Sequence, residues 1–327
     1  MSETASIDNL LIKEEDFEAS YNVIRDELDR IMQSGYFVSF DGAKLYYERY
    51  GVPSAADNIV ILHGFTEFTK KFTEMIRYMT LLGHNVFIFD QRGHGLSERK
   101  LKDPHLAHVD SFDDYVKDFD LFVKETVLKN SNGLPLNLFA HSMGCSVALL
   151  WMQENTDTFV KCVMSSPMVY PTTGGIPRRA VKRFVIKEAE KYGWENKFRY
   201  AGTFDPHPDF RMSADMSESR FNVNMKLRRE NPLYQNSSAT NRWIYEGITV
   251  GDRILDKEKL GNIRTKALIF SCDRDRVVHT KYHKKLNKHL GSSRLVLLKN
   301  SKHTPFTGSE ATLKEYYGEI FGFFAHK

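Results

Sequence analysis

Six short apolar runs, each closed by a loop and followed by helix-like sequence, limit the fold of this chain more than any other feature. They are NIVILHG (58–64), NVFIFDQRG (85–93), LPLNLFAHS (134–142), VKCVMSSP (160–167), KALIFSCD (266–273) and RLVLLKN (294–300). Continuous apolar runs that alternate with amphipathic stretches are what a parallel sheet covered on both faces requires. Upstream, YFVSFDGAKLYYERYG places Asp41-Gly42 between two apolar, aromatic runs, which reads as a β-hairpin. An antiparallel hairpin at the edge of parallel strands predicts a mixed sheet.

The alternation stops between residues 169 and 245, where PTTGGIPRRAVKRFVIKEAEKYGWENKFRY and ESRFNVNMKLRRENPLY read as helices and irregular loops. A helical cap, inserted over one end of the sheet, is the simplest account. The core then falls into a first part at 36–168 and a second at 246–327. Residues 1–35 form an acidic leader, with a helix predicted at about 14–33 from the spacing of Ile24, Leu28, Ile31 and Met32. At 327 residues, one large domain with an insertion fits as well as two domains would.

A net charge of +4 is too weak to argue for nucleic acid as a partner. The cysteines Cys145, Cys162 and Cys272 are odd in number, widely spaced and set in apolar segments. This points to reduced thiols and a cytoplasmic location. The first residues lack the basic stretch and apolar core of a signal peptide. No apolar run approaches the roughly 18–20 residues that span a bilayer.

The chemistry is carried first by Leu138-Phe139-Ala140-His141-Ser142-Met143-Gly144-Cys145. A strand run ends at the serine and a helical pattern (Val147, Leu150, Trp151) begins directly after it. This is the sharp strand-to-helix turn that lifts a nucleophilic oxygen above a sheet. Gly144 suits the cramped turn, and Ala140 stands where a glycine is usual. The helix start at Met143 points amides at an anion forming near Ser142.

His63-Gly64-Phe65-Thr66 follows the strand NIVILHG, and a loop there can present a backbone N–H across from the turn. The amides of Phe65 and Met143 are the candidate oxyanion hole, while the His63 side chain reads as structural. Chain order then asks for an acid and a histidine downstream. Asp275 is the acid favoured by its place just before Val277-Val278. Asp273 stays the alternative, otherwise a strand-end cap or salt-bridge partner. His303, in Asn300-Ser301-Lys302-His303-Thr304-Pro305, is the histidine on the loop after RLVLLKN. Metal catalysis competes in a chain with 12 histidines, but His279 and His283, spaced i, i+4, have no further ligand to complete a zinc set. They read as the exposed face of a basic helix, and neither metal nor organic cofactor is expected.

HGF-T-E (63–67), FDQRGHGLSE (89–98), HVDSFDDYVKDFDLFV (108–123), FAHSMG (139–144), SSPM (165–168), DRVV (275–278) and the His303 loop follow one another in order. Together they resemble the bacterial lysophospholipase and monoacylglycerol lipase group of α/β hydrolases, from about residue 36 to the C-terminus. The resemblance is weakest across the cap and leaves out the leader. It implies a mostly parallel central sheet flanked by helices, a catalytic Ser142, Asp275 and His303, and cleavage of an ester to a single fatty-acyl chain. Ala140, Cys145 and Cys272 depart from the commoner glycines of that group. Arg92-Gly93-His94-Gly95 reads as a structural tight turn.

A lipid or other ester is therefore the expected substrate, with a small-ester carboxylesterase or an acyltransferase as the rival enzyme. Epoxide and haloalkane hydrolases usually have aspartate in place of Ser142, and the intact triad argues against a non-catalytic binding protein. Cap aromatics such as Phe184, Trp194, Phe198, Tyr200, Phe204, Phe221 and Trp243 can enclose an acyl chain or form the cap's own core. Arg178, Arg179, Lys182, Arg183 and Lys187 make a basic stretch, read either as a solvated helix face or as a transient contact with anionic headgroups.

Overall fold

The computed structural model describes residues 7–325, so residues 1–6 of the leader and His326 lie outside the described residues. Its strands are β1 (Met32–Val38), β2 (Lys44–Tyr50), β3 (Asp57–Leu62), β4 (His84–Phe89), β5 (Leu106–Ala107), β6 (Leu136–His141), β7 (Lys161–Ser165), β8 (Ser238–Ala239), β9 (Lys266–Cys272) and β10 (Ser293–Leu298). The helices are α1 (Ile7–Leu10), α2 (Phe17–Asp29), α3 (Thr73–Leu81), α4 (Phe112–Leu121), α5 (Leu128–Asn130), α6 (Met143–Met152), α7 (Arg178–Tyr192), α8 (Glu218–Glu230), α9 (Asn241–Ile254), α10 (Lys257–Asn262), α11 (Lys281–His289) and α12 (Glu310–Ala325).

Eight strands form one sheet in the order β1-β2-β4-β3-β6-β7-β9-β10. The β1–β2 and β2–β4 pairs are antiparallel, and the rest of the sheet is parallel. Strands β3, β4, β6 and β7 are buried at every position, which is why their sequence shows no polar alternation. Alternate side chains feed two cores. Val60, Leu62, Phe87, Phe89, Leu138 and Ala140 face the α4, α6 and α9 side. Ile59, Ile61, Val86, Ile88, Phe139 and Val163 face α3 and α12. This is the α/β-hydrolase fold, with helices on both faces of a mostly parallel sheet.

The hairpin forms around Asp41-Gly42 with Val38 opposite Lys44. Strand β1 starts at Met32, opposite Tyr50, and α2 ends at Asp29, so the helix predicted to residue 33 stops earlier. Pairing with β2 outweighs the helical spacing of Ile31 and Met32, and the leader boundary at 35 falls inside β1. Nor does the leader stand apart: Ile24 and Leu28 join the second core, while Phe17 and Tyr21 pack on Val223 of α8. The cap region carries α7 and α8, and also β8, which pairs in parallel with β5. Helix α9 runs through residue 245, where a boundary was expected, and buries Val250 and Ile254 in the first core. Among the described residues, no helix is long and apolar enough to cross a membrane.

Candidate active site

Strand β6 ends at His141 and α6 begins at Met143, leaving Ser142 alone in the turn with φ +50° and ψ −115°. That conformation is disfavoured for a residue with a side chain and implies about 1–3 kcal/mol of local strain held by its surroundings. The restraints are visible. Ser142 N–H donates to Ser165 O at 3.0 Å, and Ser142 O accepts from Cys145 N–H at 3.0 Å and Met168 N–H at 3.1 Å. A Cβ on Gly144 would stand 2.4 Å from Leu62 O and 2.7 Å from His63 O, so only glycine lets α6 start this close to β3. Ala140 meets no such limit: it lies in β6 itself, opposite Leu62 and Met164.

The loop after β10 carries His303, with Nε2 2.8 Å from Ser142 Oγ and Nδ1 2.7 Å from Asp275 Oδ2. The other carboxylate oxygen of Asp275 accepts N–H bonds from Val277 at 2.8 Å and Val278 at 3.0 Å. Its side chain is wholly shielded from solvent. Burial acts to raise the Asp275 carboxyl, but His303 and the two amides outweigh it and hold the group below the usual carboxylate range. Burial pushes the His303 imidazole down, and Asp275 only partly restores it. Since Asp275 can only accept, Nδ1 carries the hydrogen and Nε2 keeps its lone pair for the Ser142 hydroxyl. A serine hydroxyl so placed can lose its proton as it attacks a carbonyl. Asp273, the alternative acid, points elsewhere: it is exposed and accepts Ser301 N–H at 3.1 Å.

The loop bearing Phe65 lies directly against this turn, for a Cβ on Gly64 would come within 3.0 Å of Ser142 Cβ. At the start of α6, the Met143 amide has no carbonyl one turn back to bond within the helix. The Phe65 ring lies on Trp243, centroids 4.0 Å apart. His63 is structural. Its Nδ1 donates to Gly64 O at 2.8 Å, its Nε2 accepts Gln91 N–H at 2.9 Å, and burial lowers it to about 4. Among the other cap aromatics, Phe184, Phe198 and Tyr200 contact one another, Trp194 packs on Tyr245 and Phe221 on Phe210.

One expectation is overturned. His283 is not on an exposed helix face but fully buried, with Nδ1 2.9 Å from Ser271 Oγ and Nε2 2.9 Å from Pro167 O. His279 precedes α11 and shares no helix face with it. Among the described residues, one set of metal-ligand type has its ligand atoms within 4.8 Å: His108, Asp110 and Glu195. The Lys100 ammonium lies 2.7 Å from Asp110 and 3.0 Å from Glu195 and already balances these carboxylates.

Relatives place the chain in a family. The serine aminopeptidase S33 pattern matches residues 53–310. Lysophospholipase L2 of Escherichia coli K12 is 28% identical over 255 residues, covering 76% of this chain and 72% of that protein. Human monoglyceride lipase is 32% identical over 143 residues, 41% of this chain and 43% of the relative. Among solved structures, a soluble variant of monoglyceride lipase from Saccharomyces cerevisiae superposes with a TM-score of 0.71 at 18% identity, over 89% of this chain and 93% of that one. A carboxyl esterase from Bacillus coagulans gives 0.72 at 16% identity, over 90% and 97%. These likenesses share the fold described above, and the chain belongs to the serine aminopeptidase S33 family of α/β hydrolases.

Proposed function

We propose that the chain hydrolyses the carboxylic ester of a single-chain lipid, a lysophospholipid or monoacylglycerol, through an acyl-enzyme on Ser142. The observation that carries this reading is the hydrogen-bonded row Ser142–His303–Asp275, set in a chain whose relatives are a lysophospholipase and monoglyceride lipases. His303 takes the Ser142 proton as the oxygen attacks the ester carbonyl, and Asp275 holds the tautomer and stabilises the imidazolium. The amides of Phe65 and Met143 bind the oxyanion, and His303 passes its proton to the leaving alcohol. Water, activated by the same imidazole, then releases the fatty acid.

The apolar pair Phe65 and Trp243 beside the oxyanion loop supports an acyl substrate over a polar one. Access from a lipid surface is supported by the cap exterior. Tyr200 is 72% exposed and packs on Phe184 of α7, a helix that carries exposed Arg179, Arg183 and Lys187. Arg178 is already engaged, 2.9 Å from Asp252 and stacked on Tyr170. The three free, buried cysteines support a reducing, cytoplasmic setting.

The test is labelling by a fluorophosphonate, followed by kcat/KM across p-nitrophenyl esters of rising chain length and for monoacyl against triacyl glycerols. Each buried CH₂ contributes about 0.8 kcal/mol, so kcat/KM rises with acyl length until the cavity ends. A peak at acetate points instead to a small-ester carboxylesterase, and faster transfer to an added alcohol than to water points to an acyltransferase.

A further inference from the structure

A buried carboxylate under the site is used by none of the steps above. Glu67 is 4% exposed although it sits in the loop HGFTEFT after β3. Three donors converge on it. Oε2 accepts Gly64 N–H at 2.6 Å and lies 2.8 Å from His141 Nδ1, while Oε1 lies 2.9 Å from Lys71 Nζ. Glu67 also closes the turn from the other side, its own N–H donating to Gly64 O at 3.3 Å. Phe65 is inside that turn, and Thr66 within it adopts φ +62°.

The second partner reaches further. His141 is the last residue of β6, joined directly to Ser142, and its Nε2 stands 3.2 Å from the carbonyl oxygen of His303. Both His141 contacts are acceptors, so the ring satisfies both only when each nitrogen carries a hydrogen. One carboxylate thereby joins the segment presenting the Phe65 amide, the segment presenting the nucleophile and, through His141, the backbone of the base.

We propose that Glu67 is a positioning residue for the hydrolysis, holding the oxyanion loop and the Ser142 turn at a fixed separation through Gly64 and His141. The proposal rests on the serine-ester reading given above. An oxyanion hole acts only if its donors are set in advance where negative charge develops. Its two amides here come from chain segments far apart in sequence, and the Glu67 side chain spans the gap. Glutamine in its place keeps the shape but supplies one acceptor oxygen where three donors converge, and its NH₂ opposes a donor. A small shift of this loop then costs the directional Phe65 amide contact with the oxyanion more than it costs the non-directional apolar packing of the Phe65 ring on Trp243.

The experiment compares Glu67→Gln, His141→Gln and the double variant with the unmodified chain, each normalised by fluorophosphonate active-site titration. For Glu67→Gln, kcat is expected to fall about 10–100-fold with KM within about threefold, because misplacement near 1 Å costs up to about 10²-fold. The fluorophosphonate rate should fall in parallel, since its phosphonyl oxygen occupies the same hole. The double variant should be no slower than the slower single variant, because both sever one bridge. Unchanged kcat in folded Glu67→Gln, or fully additive losses, overturns the proposal. If Glu67→Gln does not fold, His141→Gln decides by the same split between kcat and KM, and unchanged kcat there overturns the bridge. Failure of the unmodified chain to react with the probe overturns the serine-ester reading and this proposal with it; a reactive parent beside an equally fast Glu67→Gln overturns this one alone.

Discussion

Asp273 and Asp275 stand on the same turn after β9, yet only Asp275 faces the imidazole of His303, at 2.7 Å. Asp273 is spent on the loop itself, taking the Ser301 amide at 3.1 Å. The two therefore differ in kind: one orients a ring, the other braces the backbone that carries it.

Asp275→Asn is expected to lower kcat by roughly 10²–10⁴, because an amide at that position favours the wrong imidazole tautomer. Asp273→Asn removes one exposed bond and should change kcat far less. Steady-state kinetics of the two purified variants decide it, and the reverse ranking would mean that Asp273 orients the histidine.

The pH profile follows from the direction of the His303 shift. Burial lowers its imidazole below the ordinary value of about 6.5, and the base works only when neutral. Hence kcat/KM should rise through an apparent pKa below about 6.5 and be level by neutral pH. Asp275→Asn should move that limb lower still, since the carboxylate is what raises His303. A limb centred above pH 7 would contradict this assignment.

Stability should carry a separate acid signature. Burial holds His63 and His283 near 4 and His94 near 3. On unfolding, each returns to about 6.5 and takes up a proton below that pH. A group depressed in this way stabilises the fold above its unfolded pKa, and the contribution falls as pH drops toward the folded value. Asp90 opposes them: burial raises it to about 7, so its contribution is present at low pH and fades as pH rises. These four groups, three against one, together contribute a fall in unfolding free energy on the order of 3 kcal/mol per pH unit between roughly 6 and 4. Urea titrations at several pH values test this, and a flat response across that window would refute it.

The parallel strands and the order serine, acid, histidine are legible in the sequence because both follow from contiguous residues. β3, β4, β6 and β7 are buried on both faces and so read as unbroken apolar runs. What escapes is set by partners remote in sequence. Met32 has helical spacing to Leu28, but Tyr50 across the hairpin makes it a strand residue. His283 follows His279 at helical spacing, yet α11 begins only at Lys281 and turns His283 toward Pro167. β5 and β8 are two residues each and leave no periodic trace. Glu67 is legible only as the end of HGF-T-E: Gly64 and Lys71 are close to it in sequence, but its third donor, His141, comes from β6.

The leader's place on the cap leads to the last prediction. Arg220 of α8 is buried and grips Glu74 of α3 with Nε at 2.8 Å and Nη2 at 2.6 Å. The same guanidinium donates to Ile12 O at 2.9 Å and lies 3.2 Å from Glu14 Oε2. Glu14 in turn accepts Ser217 Oγ–H at 2.6 Å and Ser219 N–H at 2.9 Å at the start of α8. The N-terminal segment thus straps one half of the cap to the core. Arg220→Met should leave the Glu74 carboxylate buried without its cation, at a cost of about 3–5 kcal/mol. Thermal denaturation should then begin well below that of the parent. Most of that cost is an uncompensated charge, so adding Glu74→Gln should recover part of it despite being a second substitution. Arg211→Met, at an exposed pair with Asp209, is the control and should leave the melting temperature unchanged. If Arg220→Met melts with the parent, or Glu74→Gln deepens the loss, the strap does not depend on this ion pair.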